Sequence, residues 1–197
     1  MGFDKHTVFS IILLIFFFAA GFVVNSIVGS SVWECKNCNF DNGEVIPVVN
    51  DEYFDVLINE INNAEDSIHI VMYSSKFYET NNSVRQIEDA LISAVKRGVD
   101  VKIILDQSKW SGRITSVSKN NEIVKEYLEE NGVEVKFDSL KKTTHVKMIV
   151  IDGKIVLIGS TNWTYSALER NNEANVLIKD LGIAEYFGNY FDFLWKS

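Results

Sequence analysis

Hydrophobic positions follow two periods along most of the chain, after an opening run that follows neither. Val8 to Val24 (VFSIILLIFFFAAGFVV) gives about 17 uncharged residues, and continuing to Val28 gives about 21, enough to cross a hydrocarbon core of about 30 Å as a helix. A helix of a soluble core shows a polar stripe, and this run has none. It reads as an N-terminal transmembrane helix through residues 8–28, in an anchor segment of residues 1–30. A cleaved signal peptide is the competing reading. Lys5 would be its basic region and Gly29-Ser30-Ser31 a permissive cleavage site, but the run exceeds the usual length of about 7–15 residues. Lys5 before the run and Lys36 after it lean towards a cytoplasmic N-terminus and an extracytoplasmic domain by the positive-inside rule.

Beyond a polar stretch over residues 31–49, read as a stalk, the two periods alternate. Phe54, Leu57, Ile58 and Ile61 recur at helical spacing, predicting a helix over Asn50 to Ala64 capped by Asn50 or Asp51. Ser67 to Tyr73 reads as a strand. Ile87, Leu91, Ala94 and Val95 give Ser83 to Arg97 an apolar helical face, stopped by Gly98. Val99 to Leu105 is a second strand, Asn121 to Asn131 a helix ended by Gly132, and Val133 to Phe137 a third strand. Val146 to Ile151 and Lys154 to Ile158 pair across Asp152-Gly153 as a hairpin. Glu173 to Ile178 is a further strand, and Leu181 to Trp195 a closing helix with an aromatic face. Strands alternating with helices predict an α/β fold, a mixed β-sheet sandwiched by helices, over residues 50–197.

Composition narrows the picture. The chain is 47% hydrophobic and 23% charged, so it can bury a core. Its single proline excludes a Pro-rich linker. It has 27 Asp plus Glu against 19 Lys plus Arg, net −8, which disfavours a generally basic nucleic-acid binder without excluding a local basic patch. Two cysteines cannot build a disulfide framework. Cys35 and Cys38 have the spacing of a zinc half-site or a redox pair. Zinc shared between two chains, a disulfide, and two unligated stalk cysteines all remain open.

One constellation stands out, from His145 to Trp163 (HVKMIVIDGKIVLIGSTNW). His145 and Lys147 are two apart at a strand start, so they share a face. Asp152 sits in the turn that follows, and Gly159-Ser160-Thr161-Asn162 ends the return strand. The set suits displacement at a phosphodiester. A neutral imidazole attacks phosphorus to form a covalent intermediate, and a lysine offers its charge to the non-bridging oxygens. The Asn162 amide and Ser160 hydroxyl donate further hydrogen bonds as charge develops. A carboxylate can hold the other ring nitrogen. No dense Asp/Glu/His cluster is visible, so chemistry without a metal or other cofactor is expected. Taken singly, each member has a structural explanation: a satisfied histidine, a turn Asp-Gly, a helix-capping Ser-Thr-Asn.

His145-x-Lys147-x4-Asp152-x6-Gly159-Ser160-x-Asn162 resembles the HxKx4Dx6GSxN signature of the phospholipase D superfamily, and Glu173 matches that family's downstream carboxylate. YSSKFY after the first strand, Arg97-Gly98-Val99, and VKIILD ending at Asp106 add to a resemblance that covers Glu52 to Trp195. The family uses two motifs per active site and this chain has one. His69 is no second copy, because Val71 stands where a lysine should be. The single-motif branches, bacterial endonuclease-like and mitochondrial cardiolipin-hydrolase-like, imply a homodimer with a shared site. The resemblance then assigns His145 as nucleophile and its counterpart in the second chain as general acid. Lys147, Asn162 and Ser160 become the phosphate clamp and Glu173 the residue orienting His145. Asp152, grouped with these catalytic residues, is expected to organise the motif.

The substrate stays open. A nucleic-acid strand needs a positive groove, for which Lys109, Arg113, Lys119, Lys141 and Lys142 are candidates, with Trp110 able to stack on a base or enter lipid. A membrane phospholipid such as cardiolipin would suit the anchor. A membrane-tethered binding module without catalysis is the third reading.

Overall fold

A computed structural model of the chain describes residues 43–197. The expected anchor, residues 8–28, and the Cys35–Cys38 pair lie outside the described residues. Among the described residues no helix is long and apolar enough to cross a membrane.

Over the described residues, strands and helices follow the order β1 (Glu44–Val49), α1 (Glu52–Asn63), β2 (Ser67–Met72), α2 (Ser83–Lys96), β3 (Asp100–Leu105), β4 (Lys109–Trp110), β5 (Arg113–Ile114), α3 (Ser116–Glu130), β6 (Glu134–Phe137), β7 (Lys147–Ile151), β8 (Ile155–Gly159), α4 (Tyr165–Glu169), β9 (Ala174–Lys179) and α5 (Leu181–Lys196). Seven strands form one sheet in the order β1-β9-β8-β7-β2-β3-β6. The β2–β3 and β3–β6 pairs are parallel and the others antiparallel, so the sheet is mixed, as the alternation predicts.

Period-2 alternation sorts the central strands onto two cores. Ile68, Ile70 and Met72 of β2, Val101, Ile103 and Leu105 of β3, and Ile149 and Ile151 of β7 face the larger core, with Leu57 and Ile61 of α1, Ile87 and Leu91 of α2, and Val124 and Leu128 of α3. Val71, Ile104, Met148 and Val150 face the smaller core with Ala184 and Phe191 of α5. All five residues of β7 are buried, as a strand covered on both faces requires. Each fully buried Leu or Ile contributes about 1.5–3 kcal/mol, which fixes the strand register against slippage.

The structure departs from the sequence reading in three places. Glu44–Val49, assigned to the stalk, is an edge strand paired with β9 from Glu44↔Lys179 to Val49↔Ala174. The helix expected from Asn121 starts at Ser116, where the Thr115 side chain accepts from the Ser118 N–H; its first turn carries a single apolar residue, Val117, too little to reveal a helical face. Neither Asn50 nor Asp51 caps α1 through its side chain. Asp51 makes no such bond, and the Asn50 side chain accepts from the Glu173 N–H at 3.0 Å.

Candidate active site

Topology collects the chemistry at one edge of the sheet. Met72 pairs with Lys147 and with Leu105, and Leu105 with Phe137; Gly159 pairs with Asn175. The ends of β2, β3, β6 and β8 and the starts of β7 and β9 therefore converge. This edge carries Tyr73, Asp106, Asp138, Ser160, Asn162, His145, Lys147 and Glu173.

His145 is exposed, two residues before β7, whereas Lys147 is only 6% exposed. The Lys147 Nζ lies 3.2 Å from both imidazole nitrogens and donates to the His145 carbonyl at 3.0 Å. An ammonium only donates, so any hydrogen bond along this contact runs from Nζ to a ring nitrogen without a proton. The Tyr73 ring closes the arrangement, 4.3 Å from the His145 ring and 4.8 Å from Nζ, centroid measured. Burial pushes the Lys147 ammonium below its ordinary range, while the negative charges of Glu173 and Asp106 act the other way.

Buried polar residues hold the backbone that presents these groups. Asp106 is fully buried and its Oδ1 accepts from the Thr144 N–H at 2.8 Å, one residue before His145. Asp138 accepts from the Gln107 N–H at 2.8 Å, and burial raises its carboxyl above the usual range. Asn121 accepts from the Ser75 N–H at 2.8 Å and donates to the carbonyls of Tyr73 at 2.9 Å and Asp106 at 2.8 Å. It ties the ends of β2 and β3 together beneath the histidine.

The return strand is shaped by a close approach. A Cβ on Gly159 would lie 2.2 Å from the Asn175 Oδ1 and 2.5 Å from the Ala174 carbonyl, so only glycine fits at the first position of Gly-Ser-x-Asn. Asn175 donates to Thr161 Oγ1 at 2.9 Å and accepts from the Thr161 N–H at 3.3 Å, fixing the turn between Ser160 and Asn162. Ser160 donates to a carboxylate oxygen of Glu173, whose other oxygen accepts from Asn171 at 3.0 Å. The Glu173 carboxylate, expected to orient His145, is thus engaged by Ser160 and Asn171. Asn162 Oδ1 is buried with no hydrogen-bond partner among the described residues.

Asp152, grouped above with the catalytic residues, lies at the opposite end of β7, about 17 Å away along the strand. Its carboxylate accepts from the N–H groups of Glu65 at 3.1 Å, Asp66 at 2.8 Å and Ser67 at 2.9 Å. It clasps the loop entering β2 and touches none of the site residues. His69 sits on the other face of the sheet, stacked on Phe191 at 4.5 Å with Nε2 3.3 Å from the Asp100 carboxylate. It is a satisfied structural histidine.

Tyr73, Asp138, Asn121 and Asn175 escaped the sequence reading as site residues. Asn175 alone left a trace, as a polar residue in an apolar strand.

Residues 57–195 match the family model described as cardiolipin synthase, PLD-like domain. The chain belongs to the phospholipase D-like family. It is 35% identical over 136 residues to a phospholipase D of Rickettsia prowazekii, covering 68% of this chain and 59% of that protein. A mitochondrial cardiolipin hydrolase of Chlamydomonas reinhardtii is 30% identical over 109 residues, covering 55% and 45% of the two chains. Among solved structures, the phospholipase D family member Nuc from Salmonella typhimurium superposes with a TM-score of 0.64 at 28% identity, covering 79% of this chain and 95% of Nuc. The chain thus spans about three-fifths of the curated phospholipase D it matches.

Proposed function

We propose that this phospholipase D-like chain is a membrane-anchored phosphodiesterase that cleaves single-stranded or non-specific nucleic acid through a phosphohistidine on His145. One observation carries the substrate choice. Lys109, Arg113, Lys119, Lys141 and Lys142 are all exposed, on the β4–β5 hairpin, the first turn of α3 and the segment before His145. None of the five takes part in an ion pair among the described residues. In a chain of net charge −8, unpaired cations gathered at one edge give a local field suited to a polyanionic strand, whatever the total charge.

The unprotonated imidazole nitrogen attacks phosphorus, the bond to the leaving oxygen breaks, and that oxygen needs a proton. The likeness to single-motif members of the family supports His145 of a second copy as the donor and a homodimer with a shared site as the working enzyme; His69, the other described histidine, is on the opposite face of the sheet. The second imidazole then takes a proton from water as that water attacks phosphorus, breaking the phosphorus–nitrogen bond and freeing the nucleophile. Lys147 and the Asn162 amide hold the non-bridging oxygens, and Ser160 joins them by turning its hydroxyl proton from Glu173 to the phosphate. Glu173 acts through Ser160 and keeps Lys147 charged. Residues 8–28 tether the enzyme, with the catalytic domain on the extracytoplasmic side.

A second reading, hydrolysis of a phospholipid such as cardiolipin, has its own support in the names of the relatives and in the expected anchor. Full chain in detergent, with excess chelator, is offered labelled single-stranded DNA, RNA and cardiolipin vesicles. Strand cleavage with intact cardiolipin is the expected result. Turnover of cardiolipin alone overturns the substrate assignment, and no turnover of any of the three by folded protein overturns the enzyme reading. Loss of specific activity on dilution, recovered on concentration, tests the shared site.

A further inference from the structure

A cavity of about 180 Å³ opens beside the site, lined by Gln107, Ser108, Ile114, Glu122, Phe137 and Leu140 among others. It is bonded to the catalytic edge. Gln107 follows Asp106, whose carboxylate holds Thr144 next to His145, and Gln107 itself is anchored to Asp138 through its N–H and through Nε2, which donates to the Asp138 carbonyl at 2.8 Å. Lys109 also lines it, and Arg113, Lys119, Lys141 and Lys142 stand on the same segments. The mouth carries two exposed aliphatic side chains, Ile114 and Leu140, each 53% exposed.

Its polar groups are unevenly spent. The Thr115 hydroxyl lies within hydrogen-bond distance of the Ser108 and Ser118 hydroxyls, and Ser118 donates to the Ser108 carbonyl. The Gln107 amide nitrogen is committed to Asp138. What remains is acceptor capacity: the Gln107 Oε1, and the Glu122 carboxylate, which makes no hydrogen bond or ion pair among the described residues. A slot with apolar walls, a half-buried amide acceptor, and an exposed carboxylate and exposed cations along its rim suits a flat group with N–H donors on its edge, attached to a phosphate chain. A fatty acyl chain would gain nothing from Glu122, and thymine or uracil would bring its one edge donor, N3–H, flanked by two carbonyl oxygens that a carboxylate repels, where cytosine brings an exocyclic amino group.

Resting on the nucleic-acid reading above, we propose that this cavity is a subsite for an amino-bearing nucleobase flanking the scissile phosphate, with Glu122 accepting from the base. The full chain is assayed on end-labelled oligo-dC and oligo-dT and on bis(p-nitrophenyl) phosphate, a diester without a base. The expected result is about fivefold faster cleavage of dC than dT. In Glu122→Gln, whose amide can also donate to a carbonyl, that preference shrinks to near unity while hydrolysis of the base-free diester is unchanged. Equal rates on dC and dT, or a preference that survives Glu122→Gln, overturns the subsite and leaves the nuclease reading standing. Hydrolysis of the base-free diester without cleavage of either oligonucleotide overturns both.

Discussion

At one end of β7, Lys147 is held in a nearly dry site that pushes its ammonium below the ordinary range, 3.2 Å from the imidazole nitrogens of His145. Nearby, the Asn162 Oδ1 is buried without a partner among the described residues. At the other end, Asp152 has three backbone N–H groups on its carboxylate. Its burial, which raises the pKa, is more than offset by Ser67, Asp66 and Glu65, so the carboxyl titrates below its usual range. Both ends belong to one sequence motif. The first holds a desolvated ammonium whose charge a bound phosphate would compensate, as functional sites do; the second is saturated, as a structural clasp is. Motif membership therefore does not equal chemical participation, and the degree of satisfaction separates the two.

The sharpest test of this contrast is the histidine. His145→Asn should lower turnover of any diester by on the order of 10⁴-fold and abolish the covalent phosphoenzyme trapped by rapid quench. The melting temperature should stay near that of the parent, since the side chain is exposed. Residual turnover at the parent rate would remove His145 as nucleophile.

The legible part of this molecule was the part written in hydrophobic period. The alternation in β2, β3 and β7 and the helical faces of α1, α2 and α5 specify the sandwich because each pattern buries one face and leaves the other readable. β1 escaped because an edge strand with exposed Val45 and Val49 lacks a clean buried face. The site was half legible. His145 and Lys147 announce themselves by spacing along one strand, and Gly159-Ser160-x-Asn162 by its place on the return strand. Asn121, Asp138 and Tyr73 act across elements, through contacts 15 to 48 residues apart in the case of Asn121, and spacing along one element carries no trace of such contacts. Asp152 was read as an organiser of the motif from the resemblance, but its partners on the β2 loop were not predictable from its own neighbours.

A smaller effect concerns the charge on Lys147. Activity needs the ammonium, and burial lowers its pKa, so kcat/KM should fall at alkaline pH before the ordinary lysine range near 10.4 is reached. Removing a negative charge that favours the ammonium lowers its pKa further. Glu173→Gln should thus move the alkaline limb to lower pH, and Asp106→Asn should move it the same way by less, because Glu173 is the larger influence. The asparagine keeps an acceptor for the Thr144 N–H, so the loop stays in place. Lys147→Arg, which stays protonated throughout, should lose the limb altogether even if its maximal rate is lower. An alkaline limb unmoved in all three variants would detach it from Lys147.

The smallest expected effect belongs to the saturated end. Asp152→Ala removes the acceptor for three N–H groups and places alanine at φ 52°, a left-handed conformation that Asp tolerates better than Ala. Partial exposure screens the interaction, so the cost at neutral pH should be about 1–2 kcal/mol. The folded carboxyl titrates below its unfolded value. Its contribution is therefore complete above the unfolded pKa near 3.9 and is lost as pH falls through the folded value, where parent and variant stabilities should converge apart from the backbone cost. Denaturant midpoints at neutral and acid pH measure this. If the folded fraction of Asp152→Ala keeps its turnover per active site while losing stability, the two ends of β7 are functionally distinct. A variant that folds with parent-like stability yet loses turnover would instead draw Asp152 into the chemistry and erase the contrast between them.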